Sequence, residues 1–365
     1  MERDISSPGC LFPNLSGGDC MKKLIAISVV FALLAVTAFA DTSVGGNLKI
    51  GLSLVSGDDG GGDAQSGPLT LYDAHVNVNF GDSSAGGMVR VWSKTNDWQA
   101  SFFTFGWWKP IDQLRIQLGQ NADGDFGHAQ IGGWGFNGEA QGGTALDQHR
   151  KLGAGGFPVV ARTTKAWYGG FDGMGAVISI LPIQGLAINW VIPFGEGELG
   201  DTYGKSHFGV VYAIQDIGTF RLAAVLTDPD ADVPLNFYGS FYLMAIDDLG
   251  VDIGVGYAEE ILGIGLGLKY TAGDFSIKVR FGVDLEDPDV SLGAHILPSY
   301  NIGGGAVAFL NAGFGMQGDS FSWFANPYVR VPMGGGMSFY GGFQLWDNGD
   351  EVINWAIPIT YNFYF

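Results

Sequence analysis

Acidic and basic side chains are unevenly distributed along this 365-residue chain. Asp123, Asp125, Glu139 and Asp147 lie in the stretch 121–164, which also carries Trp134 and Phe136. Lys49, Arg90, Lys94, Arg115, Arg221, Lys269, Lys278, Arg280 and Arg330 recur instead at polar positions of segments that alternate polar and apolar residues. Acids held opposite bases across a narrow, water-filled gap set up a transverse field that orients dipolar solutes and filters ions by charge. No covalent chemistry is legible beside it. His75, His128, His149, His207 and His295 are too far apart for a metal-ligand motif, and no Ser-His-Asp or paired-carboxylate set can be specified. Asp228, Asp230 and Asp232 have the spacing of a calcium loop's first ligands, but Val233 and Gly239 stand where its glycine and distal acid belong. They read as solvated turn residues, as do Asp58, Asp59 and Asp63. The triplets Gly303-Gly304-Gly305 and Gly334-Gly335-Gly336 lack the strand–loop–helix setting of a phosphate cradle and read as turns. No metal, no cofactor and no enzymatic activity is implied.

The elements that must position these charges are β-strands. In the last one, Ile353, Trp355, Ile357, Ile359, Tyr361, Phe363 and Phe365 fall on one face, and Asn354, Ala356, Pro358, Thr360, Asn362 and Tyr364 on the other. Similar alternation recurs upstream. Phe275, Ile277, Val279, Phe281 and Val283 oppose Ser276, Lys278, Arg280, Gly282 and Asp284. Segments of about ten residues between Gly/Asp/Pro/Asn turns are the spacing of transmembrane strands. Sixteen to eighteen such segments run from 42–56 to 351–364, with one at 165–181. The uncharged stretch 173–195 is interrupted by Pro182 and Pro193 and reads as two strands and a turn, not a helix. An apolar stripe reaching the terminal carboxylate needs a protein core or lipid to lie against. Trp107, Trp108 and Trp355 near strand ends suggest an interfacial aromatic girdle, while Trp92 and Trp346 in the polar register suggest a sugar-stacking surface.

Met21-Lys22-Lys23, an apolar run to Ala38-Phe39-Ala40 and then Asp41 describe a secretory signal peptide over 21–40. Residues 1–20 read as an upstream extension outside the mature protein, and both cysteines, Cys10 and Cys20, lie in it. The mature chain, 41–365, therefore has no disulfide or Cys-ligated metal and no lipid-attachment cysteine. It contains no linker that would divide it. Sixty glycines with 13% aromatics suit a barrel, where Gly relieves crowding on curved strands. Acids outnumber bases 37 to 18, and a net charge of −19 does not suit nucleic-acid phosphates.

The Phe-terminated last strand, with Tyr361, Phe363 and Phe365 at alternate positions, resembles the carboxy-terminal strand of Gram-negative outer-membrane β-barrels. Thr360 stands where that strand often has glycine. Across 41–365 the chain resembles outer-membrane porins in pattern, without a subfamily motif. The resemblance implies an all-β, antiparallel up-and-down transmembrane barrel in the bacterial outer membrane. Its partners would be outer-membrane lipid and lipopolysaccharide, the barrel-assembly machinery reading Tyr361, Phe363 and Phe365, and two further copies in a homotrimer. It also implies passive diffusion of small hydrophilic solutes and ions. The alternatives are a channel selective for sugars or hydrophobic compounds, or a surface antigen or adhesin.

The long connections 57–68, 121–164, 195–205 and 228–234 all fall on the side opposite the terminal Phe, as bacterial barrels require. The stretch 121–164 follows the fifth strand and resembles the porin loop that folds inward and narrows the channel. The resemblance then makes Asp123, Asp125, Glu139 and Asp147 one side of a constriction, and Arg90, Lys94, Arg115, Lys278 and Arg280 the other. Acids expected on the wall are Asp73, Asp112, Asp252, Asp284 and Glu351. With the loop inward, its acids offset the basic wall and an acidic mouth tips selectivity weakly towards cations. With the loop outside, the wall prefers anions. Signal cleavage is directly testable: sequencing the amino terminus of membrane-extracted protein should read from Asp41, and a start at Met1 or Met21 would overturn the assignment.

Overall fold

The computed structural model describes residues 42–59, 70–94, 101–120, 174–194, 206–226, 235–258, 260–285, 290–347 and 352–365. The described residues form strands joined by turns. These are β1 (Thr42–Asp58), β2 (Thr70–Gly81), β3 (Ala85–Lys94), β4 (Ser101–Ile111), β5 (Leu114–Gln120), β6 (Met174–Ile183), β7 (Leu186–Phe194), β8 (His207–Ile214), β9 (Gly218–Leu226) and β10 (Leu235–Ile246). They continue as β11 (Leu249–Ala258), β12 (Ile261–Ala272), β13 (Phe275–Leu285), β14 (Val290–Gly303), β15 (Ala306–Gln317), β16 (Ser320–Gly334), β17 (Met337–Gly342), β18 (Gln344–Asp347) and β19 (Asn354–Tyr364). Of the expected segment 165–181, residues 165–173 lie outside the described residues.

Antiparallel pairing follows chain order around the sheet, and β19 returns to β1. β17 and β18 both lie between β16 and β19 in a common register, so they are halves of one strand and the closed barrel has 18 strands. The break falls at Phe343, opposite Pro327. The Phe343 N–H still donates to the Pro327 carbonyl at 2.9 Å, but proline has no N–H to return the bond.

The short turns after β2, β4, β6, β8, β10, β12, β14 and β16 share one end of the barrel with Phe365, as the pairing of Met337 with Phe363 shows for the Gly335–Gly336 turn, whereas the Gly318–Asp319 turn lies at the other end. The Gly335–Gly336 and Gly304–Gly305 turns have positive φ at both central residues, 59° and 78° and then 62° and 78°, the two-residue geometry that matches strand twist. At the β2–β3 turn, Ser84 Oγ and the N–H groups of Ser84 and Ala85 donate to Asp82 Oδ1 at 2.6, 2.7 and 3.1 Å. The Ser84 donors foremost hold the Asp82 carboxyl below the usual carboxylate range. The connections after β1, β5, β7 and β9 leave from the other end, as the sequence pattern requires.

Alternation sorts the strands' side chains into two environments. On β11, Ile253 and Val255 point outward at 54% and 42% exposure, whereas Asp252 points inward at 3%. On β19, Ala356, Thr360 and Asn362 are the inward set, and Ile357 and Phe365 are outward and exposed.

Closure rests on the first and last strands. The Gly46 N–H donates to the Phe365 carbonyl at 2.9 Å and the Phe365 N–H to Gly46 at 3.2 Å. A Cβ on Gly46 would strike the Phe365 ring, so the bare backbone of β1 is the seat of that ring. Phe365 also stacks on Phe363 at 5.6 Å. Deleting Phe365 removes both hydrogen bonds and the ring from the seam. The amount of heat-modifiable, folded barrel should fall, and unchanged folding at low expression would show that the seam does not need it.

Candidate functional site

The inward register is a charged and aromatic wall. Arg90, Arg115, Arg221, Lys269, Lys278, Arg280 and Arg330 all occupy it, together with Asp252 and Asp284. Five of the bases, Arg115, Arg221, Lys269, Lys278 and Arg330, lie within four residues of the short-turn end of their strands. They form a belt at that end of the lumen. Lys269 and Lys278 sit directly opposite each other across β12 and β13, and Arg280 is opposite His295.

The bases expected at a constriction do not gather in one place. Arg90 and Arg115 stand on β3 and β5, with only β4 between them. Lys278 and Arg280 stand on β13, about halfway round the ring. Arg90 Nε donates to Asn77 Oδ1 at 2.6 Å, which pins it along the wall. Lys49 and Lys94 keep the inward backbone register, Lys49 and Lys94 both pairing with Asp73. Asp123, Asp125, Glu139 and Asp147, and Glu351 with them, lie outside the described residues. Asp112 is displaced from the wall: it is an exposed residue of the β4–β5 turn.

One tryptophan assignment also changes. Adjacent residues on a strand face opposite ways, so of the Trp107–Trp108 pair Trp108, 54% exposed, faces outward, as Trp355 does on β19. Trp107 faces inward with the Lys109 ammonium 5.9 Å from its ring centre. Trp346 is a buried inward residue on β18, and β19, β1 and β2 separate it from β3, which carries Trp92. The Trp92 side chain lies outside the described residues. Among the described residues, no group of three His, Cys, Asp or Glu could hold a metal ion. Asp59 has a structural partner: its Oδ1 accepts the Ile353 N–H at 2.8 Å across the seam.

Three features of the wall were not anticipated. Leu297, Phe309, Tyr328 and Tyr340 form a buried cluster on the inner face of β14–β17. Phe309 stacks on Tyr328 at 4.8 Å with planes 9° apart, and the Arg330 guanidinium lies 5.9 Å from the Phe309 ring. Polar residues here also pair along the wall. His295 Nε2 is hydrogen-bonded to Asn311 Oδ1, and Ser179 Oγ donates to Asn189 Oδ1 at 2.6 Å. Finally, Gly254, Gly265, Gly282, Gly293 and Gly315 pair in succession across β11–β15, an inner strip without side chains. None of the five has positive φ, so backbone conformation does not demand glycine there.

No family model matches the chain, and no curated protein matches it in sequence. Solved structures do. The Pseudomonas aeruginosa proteins OpdL and OpdQ each match with a TM-score of 0.54, at 10% and 8% identity. OpdL covers 89% of this chain and 99% of its own, and OpdQ 90% and 98%. An anion-selective porin from Comamonas acidovorans matches with a TM-score of 0.51 at 11% identity, covering 89% of this chain and 99% of its own. The architecture is therefore that of a porin-type barrel, and at these identities the likeness is one of fold.

The aromatic cluster should matter to stability. Phe309→Ala empties a buried, stacked position and should cost on the order of 3 kcal/mol. Urea unfolding of the reconstituted barrel should show it as a lower midpoint. An unchanged midpoint would mean that the cluster is loosely held.

Proposed function

We propose that this chain is a porin-like channel of a bacterial outer membrane, exported through a signal peptide, that passes small hydrophilic solutes and ions by passive diffusion. The observation that carries this reading is the two-sided barrel: 18 strands in a closed ring, apolar outside, with the wall's bases, acids and amides inside. A ring of that size encloses an aqueous channel rather than a packed core. Trimeric assembly and recognition of Tyr361, Phe363 and Phe365 by the assembly machinery belong to the same proposal.

We further infer that the 121–164 connection folds into the lumen. What supports this is its length and its place after the fifth strand, where general porins carry the loop that narrows the channel. The acids of that connection then offset the basic belt, and an acidic outer mouth leaves a weak preference for cations. The opposite balance, a basic wall unopposed, would give the anion preference named for the Comamonas porin.

Planar-bilayer recording tests both parts. Large, ohmic steps are expected from purified protein, whereas silence would favour an adhesin. In a KCl gradient, replacing Asp123 and Asp125 with Asn should move the reversal potential towards anions. No movement would place both residues outside the constriction.

A further inference from the structure

The charges of this barrel are sorted along its axis as well as between its faces. At the end opposite Phe365, six connections are eight residues long or shorter: 95–100, 227–234, 259–260, 286–289, 318–319 and 348–353. Together they hold twelve Asp or Glu and no Lys or Arg. At about 3.4 Å per residue, out and back, a tether of that length keeps its charges within about 14 Å of the strand ends it joins. This rim is therefore acidic whatever path each connection takes. The 121–164 connection carries four acids and three bases, so it shifts the axial balance by one charge wherever it lies.

Towards the other end the inner wall is basic. Arg115, Arg221, Lys269, Lys278 and Arg330 make the belt there, with Asp252 the described acid that faces inward at the same height. On β13, Lys278 stands seven residues from Leu285, after which the connection 286–289 begins. With strands rising about 3.4 Å per residue and tilted about 40°, belt and acidic mouth are roughly 20 Å apart along the axis. Beyond the belt, Asp82, Asp112, Asp216, Asp247, Asp248 and Asp274 occupy the short turns, and all six are exposed. They stand outside the bore, in bulk water where salt screens them most.

We propose that the barrel is an ion rectifier, carrying more current when its acidic mouth faces the positive side than when the voltage is reversed. The inference deepens the channel reading above and rests on it. An acidic zone admits cations, and a basic zone admits anions. With the mouth positive, cations enter through the mouth and anions through the belt, so both accumulate between the two. Under the opposite voltage both are drawn out through those zones, and the stretch between them is depleted of carriers. The zones keep separate signs while the screening length stays below their separation, as it does at about 10 Å in 0.1 M salt. At about 1 M it falls to about 3 Å, and the charges no longer reach across the bore. The exposed turn acids, set against the belt, would rectify in the opposite sense. The sign of the asymmetry therefore shows which acids govern.

Single-channel currents at equal and opposite voltages test this. Biotin on Asp319→Cys, captured by streptavidin added to one chamber, identifies the chamber that the acidic end faces. In about 0.1 M KCl the larger current should flow with that chamber positive, and in about 1 M the two currents should be equal. Glu286→Gln combined with Asp287→Asn and Asp289→Asn should lower the ratio of the two currents at the lower salt. Arg221→Gln with Lys269→Gln should lower it from the other zone, and the mouth variant carries the test should the belt variant fold poorly. Equal currents through an open channel at the lower salt would overturn the proposal and leave the channel standing. So would a larger current in the opposite sense, or a ratio that the mouth variant does not move. A protein that passes no current would refute the channel and the rectifier together.

Discussion

Everything in this barrel depends on giving each backbone N–H and C=O a partner where no water can supply one. In hydrocarbon an unpaired peptide group costs several kcal/mol, so a sheet can cross only if it has no edges. The edge problem is solved at the β1–β19 seam, which runs from Asn47 and Tyr364 to Asp58 and Asn354. Its extremities are tied by Phe365 with Gly46 at one end and by Asp59 with Ile353 at the other. Residues 294 positions apart in the chain thus meet through the hydrogen bond from Ile353 to Asp59. Closure is the most non-local event in the fold, and it hangs on a glycine and the last residue.

Closure divides the side chains between two surroundings without further instruction. Period two sends apolar residues to one face and polar residues to the other, and the ring makes those faces outside and inside. Exceptions include β6 and β7, where inward Val177 and Val191 are fully buried, and β14–β17, where both faces hold apolar residues. Leu297, 1% exposed, sits inward beside Ile296, which is outward at 38%. The inward aromatics stack on one another and on a guanidinium, so the lumen there is stiffened by rings as well as by hydrogen bonds.

Much of the fold was legible because a strand's face assignment is local. The first boundary expected, at residue 42, coincides with the start of β1, and the wall bases kept their backbone register. What was not legible needed the ring. Arg90 and Arg115 look equivalent to Lys278 and Arg280 in sequence, since all occupy polar positions. Their placement about halfway round from one another follows only from counting paired strands. The Phe309–Tyr328–Tyr340 cluster was hidden because an apolar residue in a run apolar on both faces carries no phase. The break at Phe343 comes from its partner, Pro327, sixteen residues upstream in the chain and adjacent only through pairing. Asp112 was misplaced by one or two residues at a turn, where a strand's end is least defined by its pattern.

The glycine strip across β11–β15 also bears on how such a wall can change over generations. Every glycine codon is one nucleotide from codons for alanine, valine and a charged residue. At Gly254, Gly265, Gly282, Gly293 and Gly315 the φ angle is one that other residues tolerate, and the side chain gained would enter the lumen rather than the lipid face. A single base change can therefore alter the bore or its local charge while leaving the membrane-facing register untouched. The strip is a row of adjustable positions, open to selection one codon at a time.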